Sequence, residues 1–445
     1  MRKQPIVTFQ EVARVLGPVI DGHLNAGGQG GAESLQADEA AVKFVPAESM
    51  DKETLAAAMK LVGRALQEIE RADSGDGMLN TATDEVTSLL QTFIAQQADE
   101  VDAPPLPIGG FEAKFDPKDV LGWIGSFFQW WRKLKPHPWP TATDEITDLG
   151  DRDLRIGMLA DWGTGLYGAP ECAKRLEEDS KGFDLLIHLG DVYYSGTKHE
   201  IRKRFLPYWP KKARLAHLAL NSNHEMYSGG WGYFDVTLPK FAEMSTAFKQ
   251  STSYFAVANK HFTLIGLDTG YKDDDLAGEQ AAWLQRIIGR SEAYGRRVIL
   301  MSHHQPFSAF EGNGDKTVKQ LAGLLGGKKI LAWYFGHEHR LVVYDRHPDW
   351  DMYGRCIGHG GMPYLRDKIA GATAEETAMY RIPGREKGGI RTPQARVLDG
   401  PNPYVGEGRL KYGPNGYAVL ELIGKQIHES YRLPDGKEIL AEVIS

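Results

Sequence analysis

Short apolar runs that alternate with amphipathic segments place the strongest constraint on the fold of this chain. From about residue 153, each of these runs is long enough for one buried strand, and the runs are LRIGMLADWG, DLLIHLGDVYY, RLAHLALNSNHE, HFTLIGLDTG, RRVILMSHHQP and ILAWYFGHEH. Several of the segments between them have the spacing of helices. Buried strands that alternate with helices are typical of an α/β protein whose sheet is at least partly parallel.

Side chains that can bind a metal follow most of these strands directly. They are Asp161, Asp191, Asn223 with His224, His303 with His304, and His337 with His339. Ligands of open α/β sheets bind at the carboxyl edge of the strands, so we expect these groups to meet there. Taken singly, an aspartate at a strand end is often a turn residue, and a histidine there is often only hydrogen-bonded. Their recurrence at one strand end after another favours a shared metal site.

The spacing of His337 and His339 leaves two arrangements open. Residues two apart in an extended chain point to the same face, whereas a bend after Gly336 would turn them apart. The spacing therefore fits either one shared ion or two separate ions.

The ordered blocks resemble those of the calcineurin-like metallophosphoesterase superfamily. The blocks are DWG (161–163), GDVYY (190–194), SNHE (222–225), HHQP (303–306) and GHEH (336–339). The resemblance implies an α/β fold built as a two-sheet sandwich. It does not extend to the residues before 150.

Two positions depart from the commonest pattern of that superfamily. Gly163 stands where the first block usually supplies a histidine, and Tyr194 lies three residues after Asp191. This exchange resembles the purple acid phosphatase branch, in which the tyrosine phenolate binds a ferric ion; the other interpretation is that Tyr194 only packs beside the site. Ser222 replaces the usual glycine before Asn223, so we expect a small local adjustment of a turn that lacks glycine's freedom at positive φ.

The resemblance implies a ligand set for two metal ions, bridged by Asp191. One ion would take Asp161, Asp191, Tyr194 and His339, and the other would take Asp191, Asn223, His304 and His337. We prefer His304 to His303 because HQP fits the His-x-Pro pattern of the family, although the choice between the two histidines stays open. Oxygen and imidazole ligands suit iron paired with iron, zinc or manganese.

Such a centre implies a hydrolase of phosphate esters, either a phosphomonoesterase or a phosphodiesterase. Two cations about 3.5–4 Å apart neutralise phosphoryl oxygens and provide a hydroxide that attacks phosphorus. His224 adjoins Asn223 and suits the role of general acid for the leaving group. We expect the substrate to contact His303, His359, Trp162 and Tyr227.

Other functions fit the same residues. A phosphotriesterase or a nuclease can use the same metal core, but the acidic charge balance disfavours a nuclease. A binding module that has lost its activity is the alternative from another class. The intact ligands in every block argue against it, because a scaffold has no need to keep them.

The chain before residue 150 has a different sequence pattern. We assign residues 1–110 to a helical N-terminal extension, 111–150 to a Trp-rich helix and connector, and 151–445 to the catalytic domain. The extension has apolar stripes at Leu55, Met59, Val62, Leu66 and Ile69, and at Val86, Leu89, Leu90, Phe93 and Ile94. It could dock a protein partner, form an oligomer or cover the active site.

Composition restricts the classes of binding partner and the cellular compartment that we expect for this protein. Residues 1–110 hold 8 Lys/Arg and 17 Asp/Glu, a balance of −9, which leaves +2 of the net −7 for the rest of the chain. Neither part has the strongly basic character of a duplex nucleic acid binder. Two cysteines exclude a disulfide framework and a Cys-rich zinc site. With no signal-peptide pattern and no apolar run that could span a bilayer, we expect a cytoplasmic protein that acts on a small phosphate ester.

Overall fold

The computed structural model describes residues 135–165, 167–272, 274–405 and 409–445, and residues 56–58, 60, 62, 63, 85, 88–90 and 92. The chain divides into two compact units, Met1–Lys135 and Pro136–Ser445. In the first unit the described residues between 56 and 92 are helical, and Val62, Leu89 and Leu90 are buried, as their predicted stripes require. The other stripe residues and the Trp-rich helix lie outside the described residues. No described helix is long and apolar enough to cross a membrane.

The second unit is built mainly from strands. They are β1 (Thr147–Asp148), β2 (Leu154–Leu159), β3 (Phe183–His188), β4 (Ala213–Ala219), β5 (Phe255–Ala258), β6 (Phe262–Gly266), β7 (Arg297–Ser302), β8 (Ile330–Phe335), β9 (Leu341–Tyr344), β10 (Tyr353–Ile357), β11 (Ala378–Ile382), β12 (Arg385–Lys387), β13 (Ile390–Thr392), β14 (Ala395–Asp399), β15 (Tyr417–Ile423), β16 (Gln426–Arg432) and β17 (Glu438–Ile444).

Helices connect several of these strands. They are α1 (Ala169–Glu178), α2 (Lys198–Glu200), α3 (Asn223–Tyr227), α4 (Leu238–Met244), α5 (Gln280–Ala293), α6 (Asp315–Gln320) and α7 (Ala322–Gly326), with π-helical turns at Ile201–Phe205 and Tyr233–Thr237.

The strands form two large sheets and one hairpin. One sheet has the order β1-β5-β6-β7-β8-β10-β9-β14-β11, the other has the order β17-β16-β15-β2-β3-β4, and β12 pairs with β13. Strands β6, β7, β8 and β10 run parallel, as do β2, β3 and β4, while β15, β16 and β17 are antiparallel to their neighbours. The prediction of a two-sheet α/β sandwich is confirmed.

Three apolar layers hold the sandwich together. A central core lies between the two sheets and includes Ile156, Leu185 and Ile299. A second core packs the outer face of the larger sheet against α5, and a third packs the outer face of the smaller sheet against α1. Both faces of each sheet are therefore covered, which explains why the central strands are continuous apolar runs rather than alternating ones.

Helix α1 shows how the sequence produces one of these layers. Its buried residues Ala169, Cys172, Ala173 and Leu176 recur at intervals of three and four, so they form one stripe along the helix. Pro170 lies in the first turn, where the missing N–H costs no hydrogen bond. The stripe packs on the smaller sheet beside Leu159 and Leu186.

The described part of the connector ahead of β1 belongs to the second unit and packs against the segments that flank β5 and β6. The indole N–H of Trp139 lies 3.1 Å from Ser253 Oγ and 3.2 Å from Asp268 Oδ2, and its ring stacks on Tyr271 and contacts Tyr254 at a tilt. The connector is thus joined to the loop that follows β6.

A buried ion pair crosses the central core between the sheets. Arg355 on β10 donates to both carboxylate oxygens of Glu429 on β16, and Tyr334 on β8 donates to the same carboxylate at 2.5 Å. Arg355 also donates to the carbonyl oxygens of Tyr344 and Gly354. Removal of Arg355 would leave the Glu429 carboxylate buried without its cation.

We therefore predict that Arg355→Met lowers the free energy of unfolding by about 3–5 kcal/mol, the usual cost of breaking a buried ion pair. Urea unfolding measures this change. The matched control is Arg286→Met, which removes an exposed pair with Asp144 and should cost about 1 kcal/mol or less. Equal losses in the two variants would contradict a structural role for the buried pair.

Candidate metal centre

The turns after three strands place four of the predicted ligands in an uncommon backbone conformation. Asp161, Asp191, His337 and His339 have φ values of 51°, 73°, 72° and 53°. Residues other than glycine rarely adopt this left-handed region, and when they do they cluster at functional sites. The sharp turns aim all four side chains back toward the ends of the strands.

Gly336 permits the closest approach between two of these turns. A Cβ atom at this position would lie 2.5 Å from Asp161 Oδ2. The backbone N–H of His337 donates to both carboxylate oxygens of Asp161 at 3.0 Å. The glycine that ends the apolar run is thus required for the Asp161 carboxylate to reach the turn after β8.

One group of polar atoms surrounds His303. Its Nδ1 lies 2.9 Å from the carbonyl oxygen of Leu189, which can only accept a hydrogen bond, so Nδ1 carries the proton and Nε2 is bare. That Nε2 lies 3.3 Å from Asp191 Oδ1, 3.1 Å from Asn223 Oδ1 and 3.2 Å from His337 Nδ1. Four predicted or alternative ligands therefore converge on one point.

This convergence brings lone pairs together and fits a cation. A bare imidazole nitrogen, a carboxylate oxygen and an amide oxygen are all acceptors, and none can donate to another. Asp191 Oδ1 is buried and has no hydrogen-bond partner among the described residues. Burial lowers the pKa of His303 to about 3, so a proton on Nε2 is disfavoured. A divalent ion would satisfy all these atoms together.

A second group lies on the other side of Asp191. His339 Nε2 is 3.7 Å from Asp161 Oδ1 and 3.9 Å from Asp191 Oδ2. The phenol that joins them belongs to Tyr193, whose hydroxyl donates to Asp191 Oδ2 at 3.0 Å and lies 2.8 Å from His339 Nε2. Tyr194, the predicted ligand, is buried next to it in the chain.

Asp191 lies between the two groups and presents one oxygen to each. Burial opposes its ionisation, yet the surrounding imidazoles, His303 first, hold the pKa of this carboxyl well below its usual range. Burial and the neighbouring Asp191 carboxylate raise the pKa of Asp161 well above its usual range. His337 and His339 turn apart, each toward a different group, so the geometry matches two separate ions rather than one shared ion.

Glu225, which the sequence analysis did not assign, holds the turn that carries Asp191. Its carboxylate accepts the backbone N–H groups of Asp191 at 3.2 Å and Val192 at 3.0 Å, and it also accepts the hydroxyl of Ser222. Ser222 has φ −135° and caps α3, so this position needs no positive φ. The expected adjustment to the loss of glycine is therefore an N-cap serine.

Glu200 likewise holds the segment of residues 193–197, called the tyrosine loop below. Its buried carboxylate accepts the backbone N–H groups of Tyr194, Ser195 and Thr197 at 2.6, 3.2 and 3.0 Å. The carbonyl oxygen of Tyr194 accepts from Nδ1 of His224 at 2.7 Å. The neutral His224 ring therefore has its proton on Nδ1 and a bare Nε2, and burial lowers its pKa to about 4.

The residues predicted to contact substrate have different surroundings. Trp162 is fully buried, donates to the carbonyl oxygen of Arg204 at 2.9 Å and packs on Phe205, which leaves it no surface for a substrate. Tyr227 is half-buried, and its hydroxyl accepts from Asn223 Nδ2 at 2.9 Å. His359 is buried, and Gly416 lies against its ring, where a Cβ atom would come within 2.6 Å of Nε2.

The signals for the residues that the sequence analysis missed are modest. Glu225 stands inside the quoted SNHE block, and Tyr193 adjoins the predicted Tyr194. Glu200 closes the capping box TKHE that begins at Thr197, which is a local signal for its bond to Thr197, but its bonds to Tyr194 and Ser195 depend on the path of the loop from residue 194 to 197. Only the folded loop reveals these two bonds.

Part of the chain is similar to known proteins. Residues 154–341 match the family model described as calcineurin-like phosphoesterase. Tartrate-resistant acid phosphatase type 5 of Sus scrofa is 24% identical over 228 residues, a match that covers 42% of this chain and 64% of that protein. The chain thus matches less than two thirds of the length of this relative.

Two solved structures are similar in outline. A purple acid phosphatase from yellow lupin (Lupinus luteus) seeds is 15% identical, with a TM-score of 0.48, and the match covers 66% of this chain and 54% of that one. A dimetal phosphatase from Danio rerio is 12% identical, with a TM-score of 0.38, and the match covers 66% of this chain and 98% of that one.

The family match begins with β2 and ends at the start of β9, so it contains both groups of polar atoms around Asp191. This part of the chain matches the calcineurin-like phosphoesterase family model.

Proposed function

We propose that the chain is a hydrolase of phosphate esters that uses a dinuclear metal centre. The observation that carries the proposal is Asp191, whose two carboxylate oxygens face two separate groups of lone-pair atoms. When bound, two cations neutralise the phosphoryl oxygens and lower the pKa of water so that a nucleophile exists near neutral pH. The family match and the likeness to acid phosphatases support this chemistry.

The geometry supports a particular ligand set. We assign one ion to Asp161, Asp191, His339 and a phenol, and the other to Asp191, Asn223, His337 and His303. His303 replaces His304 in the predicted set because its bare Nε2 lies close to both Asp191 and Asn223. A carboxylate, amide and imidazole set suits iron, zinc or manganese.

His224 supports the departure of the leaving group in this proposal. Nδ1 of His224 donates to the carbonyl oxygen of Tyr194, so Nε2 is the nitrogen that can reach a substrate. Its ring packs edge-on against Tyr193, 3.8 Å between centroids, which places it beside the phenol of the site. We assign it the role of general acid, for which Nε2 must first take up a proton; the negative charge of a bound phosphate ester would oppose the effect of burial and raise the pKa of the ring.

The first test removes the shared carboxylate. Asp191→Ala should lose metal and activity together, because both groups depend on this residue, whereas the exposed Asp144→Ala should keep both. Metal analysis and turnover of mono-, di- and triester p-nitrophenyl substrates measure the two effects and define the substrate class. An Asp191→Ala protein that keeps both metals and turns over normally would end the dinuclear proposal.

The second test concerns His224. His224→Ala should keep its metals yet slow hydrolysis by about 10²–10⁴-fold for esters whose leaving group needs a proton. Rates for a series of leaving groups measure this dependence. If esters with activated and with poor leaving groups lose the same factor in hydrolysis rate, the role of His224 as general acid is wrong.

The third test asks which tyrosine supplies the phenol. Ferric phenolate absorbs visible light, so the oxidised iron form should be violet to pink. The contacts of the Tyr193 hydroxyl predict that Tyr193→Phe bleaches this colour and that Tyr194→Phe, its matched control, does not. The reverse result would return the ligand to Tyr194, and a colourless protein that holds ferric iron would exclude both.

A further inference from the structure

The adjacent histidines after β7 have different environments. His303 is fully buried, whereas His304 keeps 6% of its surface exposed. The two rings are nearly perpendicular, and a ring nitrogen of each lies within 4.8 Å of the other and of one from His337. Both histidines therefore border the same small space.

The hydrogen bonds of Thr269 determine which nitrogen of His304 carries the proton. Thr269 follows β6 and is buried. Its Oγ1 accepts the backbone N–H of His304 at 3.1 Å and lies 2.9 Å from Nδ1 of the same residue. Oγ1 of Thr269 already accepts one N–H group, and among the described residues the acceptor within reach of its own proton is Nδ1 of His304. The hydroxyl of Thr269 therefore donates to Nδ1, and the neutral ring has its proton on Nε2.

The two histidines thus present opposite groups to the site. Nδ1 of His303 donates to the carbonyl oxygen of Leu189, so its Nε2 is a bare lone pair suited to a metal ion. Nε2 of His304 carries a proton, and none of the described residues hydrogen-bonds it. An N–H group cannot bind a cation through the same nitrogen, but it can donate to an anion.

We propose that His304 binds the substrate, donating its Nε2–H to a non-bridging oxygen of the phosphoryl group, and that Thr269 is the positioning residue that selects this tautomer. The proposal rests on the proposed function, because the phosphoryl group must be held by the neighbouring metal centre. Phosphoryl oxygens only accept hydrogen bonds, so a fixed donor at this position is complementary to them.

Binding of inorganic orthophosphate to the zinc-loaded protein tests the proposal. Calorimetry measures zinc affinity and orthophosphate affinity separately, without any need for turnover. His304→Ala should keep both zinc ions and bind orthophosphate about 10- to 100-fold more weakly, the usual effect of one lost hydrogen bond to a charged group.

Substitutions at Thr269 test the tautomer. Thr269→Val should weaken orthophosphate binding with little change in zinc affinity, and Thr269→Ser should restore it because the hydroxyl returns. Thr263→Val is the matched control, since Thr263 is a buried threonine of β6 whose hydroxyl has no partner among the described residues. It should leave both affinities unchanged.

The outcomes separate this proposal from the proposed function. Loss of a zinc ion from His304→Ala, or unchanged orthophosphate affinity, would overturn the role of His304 while the metal centre stands. Full orthophosphate affinity in Thr269→Val would overturn the role of Thr269. His303→Ala should lose one zinc ion; retention of both ions there, or a wild-type protein that binds neither zinc nor orthophosphate, would instead contradict the metal centre.

Discussion

The crowding of unprotonated acceptors around Asp191 is the physical constraint on which the rest of the site depends. Two buried carboxyl groups, an amide oxygen and histidine ring nitrogens each lie within about 4 Å of another member of the set, and water is largely excluded from them. Such an arrangement costs free energy unless cations neutralise it. The surrounding fold is best understood as the framework that holds these groups together.

The framework works through strand ends and the turns that follow them. The parallel strands of both sheets deliver their ligands to a common edge, and turns with positive φ redirect Asp161, Asp191 and the two histidines after β8. Buried carboxylates then fasten the turns, with Glu225 on the backbone at residue 191 and Glu200 on the tyrosine loop. Strain at the site is thus offset by hydrogen bonds in its supports.

Much of this architecture could be predicted from the sequence, because buried strands and the polar residues after them are local patterns. The choices between neighbours could not. Whether Tyr193 or Tyr194 faces Asp191, and whether His303 or His304 approaches Asn223, depends on how each loop turns, and that is decided by partners such as Glu200 and Thr269. The Arg355 and Glu429 pair joins residues 74 positions apart, so it too left no local signal.

The most direct measurement is anomalous diffraction from crystals grown with manganese or zinc. We predict two peaks about 3.5–4 Å apart, one on each side of Asp191, with Asp161 and His339 beside one and Asn223 and His303 beside the other. A single peak, or peaks away from Asp191, would contradict a dinuclear centre at this edge of the sandwich.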